Sequence, residues 1–193
     1  MMRFPALVAI ALISVAASAQ PLPPPAGGGA SGGGGNISFV ASATSGPISL
    51  TGSTVETNLA ALKIPANSLG KNGAFEVVAI WSFPNNANNK TMTVRYTPIA
   101  GAVTGGGLGS PTIATTTASA QMLWIVRNNN STGNQTQWAV GGQTPFATAA
   151  PSIATNVATD TTADSYFNLN GQLAVATDTL TLQHAYLVVY PQN

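Results

Sequence analysis

The stretch Ala74-Phe75-Glu76-Val77-Val78-Ala79-Ile80-Trp81-Ser82-Phe83 runs through Pro84-Asn85-Asn86-Ala87-Asn88-Asn89 into Lys90-Thr91-Met92-Thr93-Val94-Arg95-Tyr96-Thr97-Pro98, and it decides the fold class. In Thr91 to Pro98, Met92, Val94 and Tyr96 alternate with Thr91, Thr93, Arg95 and Thr97. That period of two predicts a strand with one buried and one wet face, because successive strand side chains point to opposite sides. Ala74 to Phe83 is almost continuously apolar, with Phe75, Val77, Trp81 and Phe83 on one face. It predicts a central strand covered on both sides. Asparagine tolerates left-handed backbone, so Pro84 to Asn89 reads as a turn and the two strands as a long hairpin.

Working outward, short runs rich in β-branched and aromatic residues recur at Ile37 to Ala43, Thr54 to Ile64, Gln121 to Asn128, Gln135 to Val140, Ser152 to Ala158, Ser165 to Leu169 and Asp178 to Tyr190. Gly, Pro and Asn clusters separate them; Pro65 to Gly70 and Lys71-Asn72-Gly73 read as turns. No apolar stripe of period 3.6 persists after Asn36, and no internal repeat is visible. The expectation is an all-β, antiparallel β-sandwich of about eight strands, jelly-roll-like, over residues 37–193.

Composition narrows the partners. The chain has 193 residues, enough for one domain with a proper core. Charged residues make up 6%, against about 25% in an average soluble domain. A formal net charge of +1 with no basic cluster cannot supply a run of phosphate contacts, so nucleic acid is not expected as a partner. The absence of cysteine removes disulfides, thiolate nucleophiles and zinc-thiolate sites together.

Residues 1–19 carry a short basic start, the apolar run Phe4 to Ala16, and Ala17-Ser18-Ala19 with small residues where a signal peptidase reads them. The segment reads as a signal peptide, cleaved before Gln20, or as an uncleaved hydrophobic anchor in contact with a membrane. Residues 20–36 are a Pro/Gly-rich linker, semi-rigid over Pro21 to Pro25 and loose over the glycines that follow.

Each residue type that could carry chemistry has a structural alternative here. His184 is the only histidine. It alternates in phase with Leu180, Leu182, Tyr186, Val188 and Tyr190, as a core or interface histidine would, and no Gly-x-Ser-x-Gly elbow accompanies it. Five carboxylates exist: Glu56, Glu76, Asp160, Asp164 and Asp178. A glycosidase needs two across a cleft; Glu76 is the candidate acid, with an edge-facing or salt-bridged Glu as the structural alternative. Asp160 and Asp164 lack the loop grammar of a calcium site and read as a solvated loop. Gly101 to Gly109 fits no phosphate-binding pattern and reads as a flexible interstrand loop. Trp81 and Trp124 belong in the core, whereas Trp138, after the polar loop Asn128 to Gln137, is less committed: it packs in the core or at an interface, or grips a glycan. No catalytic, cofactor-binding or metal-binding residue is assigned, and no cofactor is expected.

The stretch Glu56 to Tyr96 contains Leu62-Lys63-Ile64-Pro65-Ala66-Asn67-Ser68-Leu69-Gly70, Asn72-Gly73, Ile80-Trp81-Ser82-Phe83 with its Asn-rich turn, and Lys90 to Arg95. Trp124-Ile125-Val126-Arg127-Asn128 and Asp178-Thr179-Leu180-Thr181-Leu182 follow later. Together these elements resemble bacteriophage tail-fibre and head-fibre virion proteins, the likeness running from about Thr54 to Pro191. It implies a non-enzymatic structural module of a virion, a homo-oligomer and often a trimer, appended to fibres or capsids beside other virion proteins and placed close to the receptor. An export signal does not belong on a part assembled in the cytoplasm. The alternative expectation is therefore an exported bacterial surface or periplasmic binding module of the same fold.

Overall fold

The computed structural model describes residues 37–113, 118–140 and 155–192, which lie in one compact unit spanning Gly35–Asn193. The two readings of residues 1–19, and the linker reading of residues 20–36, fall outside the described residues. Among those described there is no helix, and hence none long and apolar enough to cross a membrane. Twelve strands appear: β1 (Phe39–Ala43), β2 (Ile48–Thr51), β3 (Thr57–Ile64), β4 (Ala74–Ser82), β5 (Lys90–Thr97), β6 (Gly107–Gly109), β7 (Thr112–Ile113), β8 (Ser119–Asn128), β9 (Gln135–Val140), β10 (Thr155–Val157), β11 (Ser165–Leu173) and β12 (Thr179–Tyr190).

The strands form two antiparallel sheets packed face to face, a β-sandwich. The larger has the order β1-β12-β4-β8-β9-β10, with β2 pairing a second stretch of β12; the smaller has the order β3-β11-β5-β6, with β7 pairing the other end of β5. The pairs β2·β12, β3·β11, β4·β8 and β5·β6 nest inside one another, and they alternate between the sheets. That nesting is a jelly roll. The β9–β10 hairpin is inserted between β8 and β11 and widens the larger sheet.

The expected β4–β5 hairpin is corrected: the two strands lie in different sheets and face each other across the core. Phe75 of β4 meets Tyr96 of β5 edge to face at 5.1 Å between ring centroids. Both strands carry an apolar face, and stacking covers both faces where side-by-side pairing would cover neither. Pro84 has no N–H to extend a ladder. The link arches between sheets instead, held by the Lys90 ammonium, which donates to Pro84 O at 3.4 Å, Asn88 O at 2.8 Å and Asn86 Oδ1. Asparagine suits an arch as well as a hairpin turn, so the pattern alone did not choose between them.

The core is drawn evenly from both sheets. Phe167 of β11 contacts Phe75 and Trp124 edge to face, at 5.9 and 5.6 Å. Trp81, Val77, Leu187 and Val189 from the larger sheet meet Leu62, Ile64, Met92, Val94 and Leu169 from the smaller, all buried. Each such side chain contributes on the order of 1.5–3 kcal/mol by leaving water.

Three expectations about strand faces also change. β4 is central but dry on one side only: Glu76 and Ser82 are half-buried and Ile80 is exposed. β5 is the reverse, since its supposedly wet face is covered and Thr93 and Thr97 are buried. In β12 the register with β4 slips between Leu182 and His184. This β-bulge adds one residue and turns the following side chains over. Leu180 and Leu182 point into the core, then Ala185, Leu187 and Val189 do so, while His184, Tyr186, Val188 and Tyr190 turn outward. The single apolar face expected for Leu180 through Tyr190 is thus two half-faces.

Candidate functional site

The polar side of the smaller sheet shows what covers β5. Asn168 and Asn170, adjacent outward positions of β11, are fully buried. Gly101 N donates to Asn168 Oδ1 at 2.7 Å and Asn168 Nδ2 donates to Ile99 O at 3.1 Å. Asn170 Nδ2 donates to Ala102 O at 2.9 Å, and Arg95 Nη1 to Gly105 O at 3.0 Å. Four bonds therefore lay residues 98–106 down over the sheet. The reading of Gly101 to Gly109 as a flexible loop is corrected: its first part is latched and its last part is β6. Gly106 is required there, because its φ is +52° and a Cβ would stand 2.4 Å from Tyr96 O.

Under this loop Arg95 grips Glu56 with both ends of its fork, Nε to Oε1 at 2.9 Å and Nη2 to Oε2 at 2.8 Å. Asn170 Nδ2 donates a further bond to Glu56 Oε1. The Arg95 guanidinium, with help from Asn170, holds the Glu56 carboxyl below its usual range, and Glu56 raises Arg95 in return. Glu56 is committed to structure, with no free oxygen poised to move a proton.

Between the latched loop and the segment Asn156 to Thr159 lies an open cleft of about 500 Å³. Pro98, Ile99 and Val157 give it apolar walls, while Thr104, Asn156 and the backbone of Gly105 to Gly107 give it polar ones. None of its lining residues is charged. Tyr96 is also among its lining residues, and burial pushes its phenol up to about 12 despite a bond to Ser165 Oγ.

The remaining carboxylates are dispersed. Asp160 accepts from Thr162 Oγ1 at 2.7 Å and Thr162 N at 2.9 Å, which lowers its pKa within a local turn. Asp164 pairs with Lys63 at 2.6 Å and accepts from Ala66 N, and it too is lowered, the Lys63 bond contributing most. Asp178 accepts from Asn86 Nδ2 at 2.7 Å and lies 3.3 Å from the Lys90 Nζ; the Asn86 bond is the largest cause of its lowered pKa. Asp160 and Asp164 thus take separate partners, and among the described residues no three His, Asp or Glu side chains gather as a metal site would need.

His184 is exposed beside the bulge, with Nδ1 3.4 Å from Thr44 Oγ1 and its ring 5.9 Å from that of Tyr186. Of the core and interface placements expected for His184, the core one is corrected, for the bulge that turns Tyr186 outward turns His184 with it. Trp81 and Trp124 are buried. Trp138 stands half-buried on the outer face of the larger sheet, where the register sets Trp138, Ile125, Glu76, Val188 and Val40 side by side across five strands. Leu123, Val78 and Tyr186 form the next row. This outer face is mostly apolar, and Val40 is 62% exposed. The sequence reading missed Lys90, Asn168 and Asn170; the signal for the last two was a pair of asparagines spaced two apart, alternating with Phe167 and Leu169.

The turn at Pro65 to Gly70 has a structural explanation. Asn67 and Gly70 have φ of 58° and 69°, Leu69 is buried, and Asn128 Nδ2 donates to Gly70 O at 2.6 Å. Gly73 closes against it, where a Cβ would lie 1.9 Å from Leu69 O.

No protein-family profile matches the chain, and no curated protein matches it. One similar solved structure is that titled "Structure of infectious bursal disease virus Gx strain", at 9% identity and a TM-score of 0.25. The alignment covers 80% of this chain, which spans 35% of the length of that one. A likeness of that size carries no argument.

Proposed function

We propose that the protein is a non-enzymatic structural module of a bacteriophage particle, of the fibre type, which works as a homo-oligomer packed against other virion proteins. One observation carries the reading. The fold seals the polar face of its smaller sheet with its own loop, whereas on the mostly apolar outer face of its larger sheet, among the described residues, Val40, Ile80 and Tyr190 are exposed and Ile125, Trp138, Tyr186 and Val188 half-buried. Apolar surface left partly open in this way suits contact with another protein. The sequence resemblance supplies the virion setting. The test is a mass-spectrometric inventory of purified particles from the same organism. Finding this chain in stoichiometric amounts supports the proposal, and its absence from every particle preparation rejects it.

The uncharged cleft beside the latched loop favours a second reading, an exported surface module that binds a neutral ligand such as a cell-surface glycan. Its polar groups are threonine, asparagine and peptide groups, which suit hydroxyls, and its apolar walls suit the carbon faces of a sugar. A glycan panel tests this reading: binding weakened by Asn156→Ala would support it, and binding to no glycan would remove it.

A further inference from the structure

We infer that the outer face of the larger sheet is the contact surface for a second copy of this chain, keyed by Glu76 of one copy against Arg127 of the other. Ten charged side chains lie among the described residues, and six of them are used in three ion pairs: Lys63–Asp164, Lys90–Asp178 and Arg95–Glu56. Asp160 is bonded within its own turn, and Lys71 is exposed in the turn that precedes β4. Glu76 and Arg127 have no ion pair among the described residues, and both sit on this one face. In the register Glu76 is opposite Ile125 and Arg127 is opposite Ala74, so the two charges are diagonal neighbours on β4 and β8. Diagonal positions are about 7–8 Å apart, within reach of long side chains, yet the two form no pair with each other among the described residues, and each is left open to a partner outside the chain.

This placement is self-complementary. Two identical faces brought together about a two-fold axis can set each copy's acid beside the other's base, and the contact is then made twice in the pair. Around the charges the face offers Val188, Tyr186, Ile125 and Trp138, which need no ionic partner. A sheet face poor in charge would associate in any orientation; one acid and one base at a fixed offset select a register. The bulge in β12 matters for this surface, since without its extra residue Tyr186 and Val188 would point into the core.

The inference deepens the structural-module reading but is tested separately, because a particle inventory can find the chain in virions whatever its mass in solution. Sedimentation or light scattering of the purified protein across a concentration series is the measurement. The wild type is expected as an oligomer at micromolar concentration. Glu76→Arg and Arg127→Glu are each expected to weaken association on the order of 100-fold or more by placing like charges together. The double reversal, Glu76→Arg with Arg127→Glu, restores it. Circular dichroism checks that each variant is folded, and Val188→Ser probes the same face without touching a charge. A wild type that stays monomeric overturns the inference. So do single reversals that leave the mass unchanged, or reversals that alter thermal stability alone, which would mark a pair formed within one chain.

Discussion

Lys90 Nζ and Asp178 Oδ2 stand 3.3 Å apart across the gap between the two sheets, both buried, with Asn86 bonded to each of them. Lys90 opens β5 in the smaller sheet and Asp178 immediately precedes β12 in the larger. The ammonium also collects the carbonyls of the crossing arch, so one side chain fixes the loop and ties the layers.

Replacing Lys90 by Met should therefore destabilise the fold more than replacing both partners. The single change leaves a buried carboxylate without its cation, whereas Lys90→Met with Asp178→Leu removes both charges together. Urea midpoints of the two variants decide this, and equal midpoints would contradict it.

Stability should fall in acid and again in strong alkali. Glu56, Asp160, Asp164 and Asp178 all have folded pKa values below their usual ones. Their contribution is full above the unfolded carboxylate range of about 4 and is lost as pH drops through the folded values. Tyr96 runs the other way: raised to about 12, it contributes fully below its unfolded value and loses that contribution as pH climbs through the folded one. At about 1.4 kcal/mol per unit, that is roughly 2–3 kcal/mol. Tyr96→Phe should remove the tyrosine component from an alkaline melting series, and an unchanged profile would count against it.

Two glycines should respond oppositely to alanine. Gly73→Ala meets Leu69 O with no room, in a turn whose backbone packs against Asn128, and should cost more than ~2 kcal/mol. Gly46→Ala meets nothing within 4 Å and should lie within ~0.5 kcal/mol of wild type. Thermal denaturation of the pair measures the contrast.

Beyond the bulge, Leu187→Ala should cost about 2–5 kcal/mol by opening a cavity, while Val188→Ser, on the opposite face, should leave the fold intact. The two variants discriminate the observed register from an unbulged strand, for which the order would reverse. Denaturant curves give the answer.

The comparison of chain and structure follows from what each signal measures. Strands such as Gln135 to Val140 and Thr179 to Tyr190 were legible because alternation and β-branching act within a strand. β2, β6 and β7 are too short to show a period. Whether β4 and β5 pair or stack depends on which surface finds cover, and Pro84 to Asn89 serves both outcomes. The bulge was invisible because Gln183 and His184 alternate like their neighbours; only the register with β4 reveals the extra residue. The latch was hidden for a similar reason, since Thr93 and Thr97 look wet until Asn168 and Asn170 are seen to fasten a loop over them. In the candidate site, the carboxylates could be counted, but their dispersal to separate partners is a property of the fold.

The nested pairing also sets an order of events in time. β12 lies between β1 and β2 on one side and β4 on the other, so the larger sheet is not continuous until that strand is inserted. Its partners come from the opposite end of the domain sequence, and closing so large a loop precedes any reward from the contacts it makes. Folding should be slow for a domain of this size, in the millisecond-to-second range of non-local β structures. A chain emerging vectorially, from a ribosome or through a translocation pore, would keep β4 unpaired along one edge until residues 179–190 are free. Up to that moment it can still be threaded; afterwards the sandwich shuts in a single cooperative step.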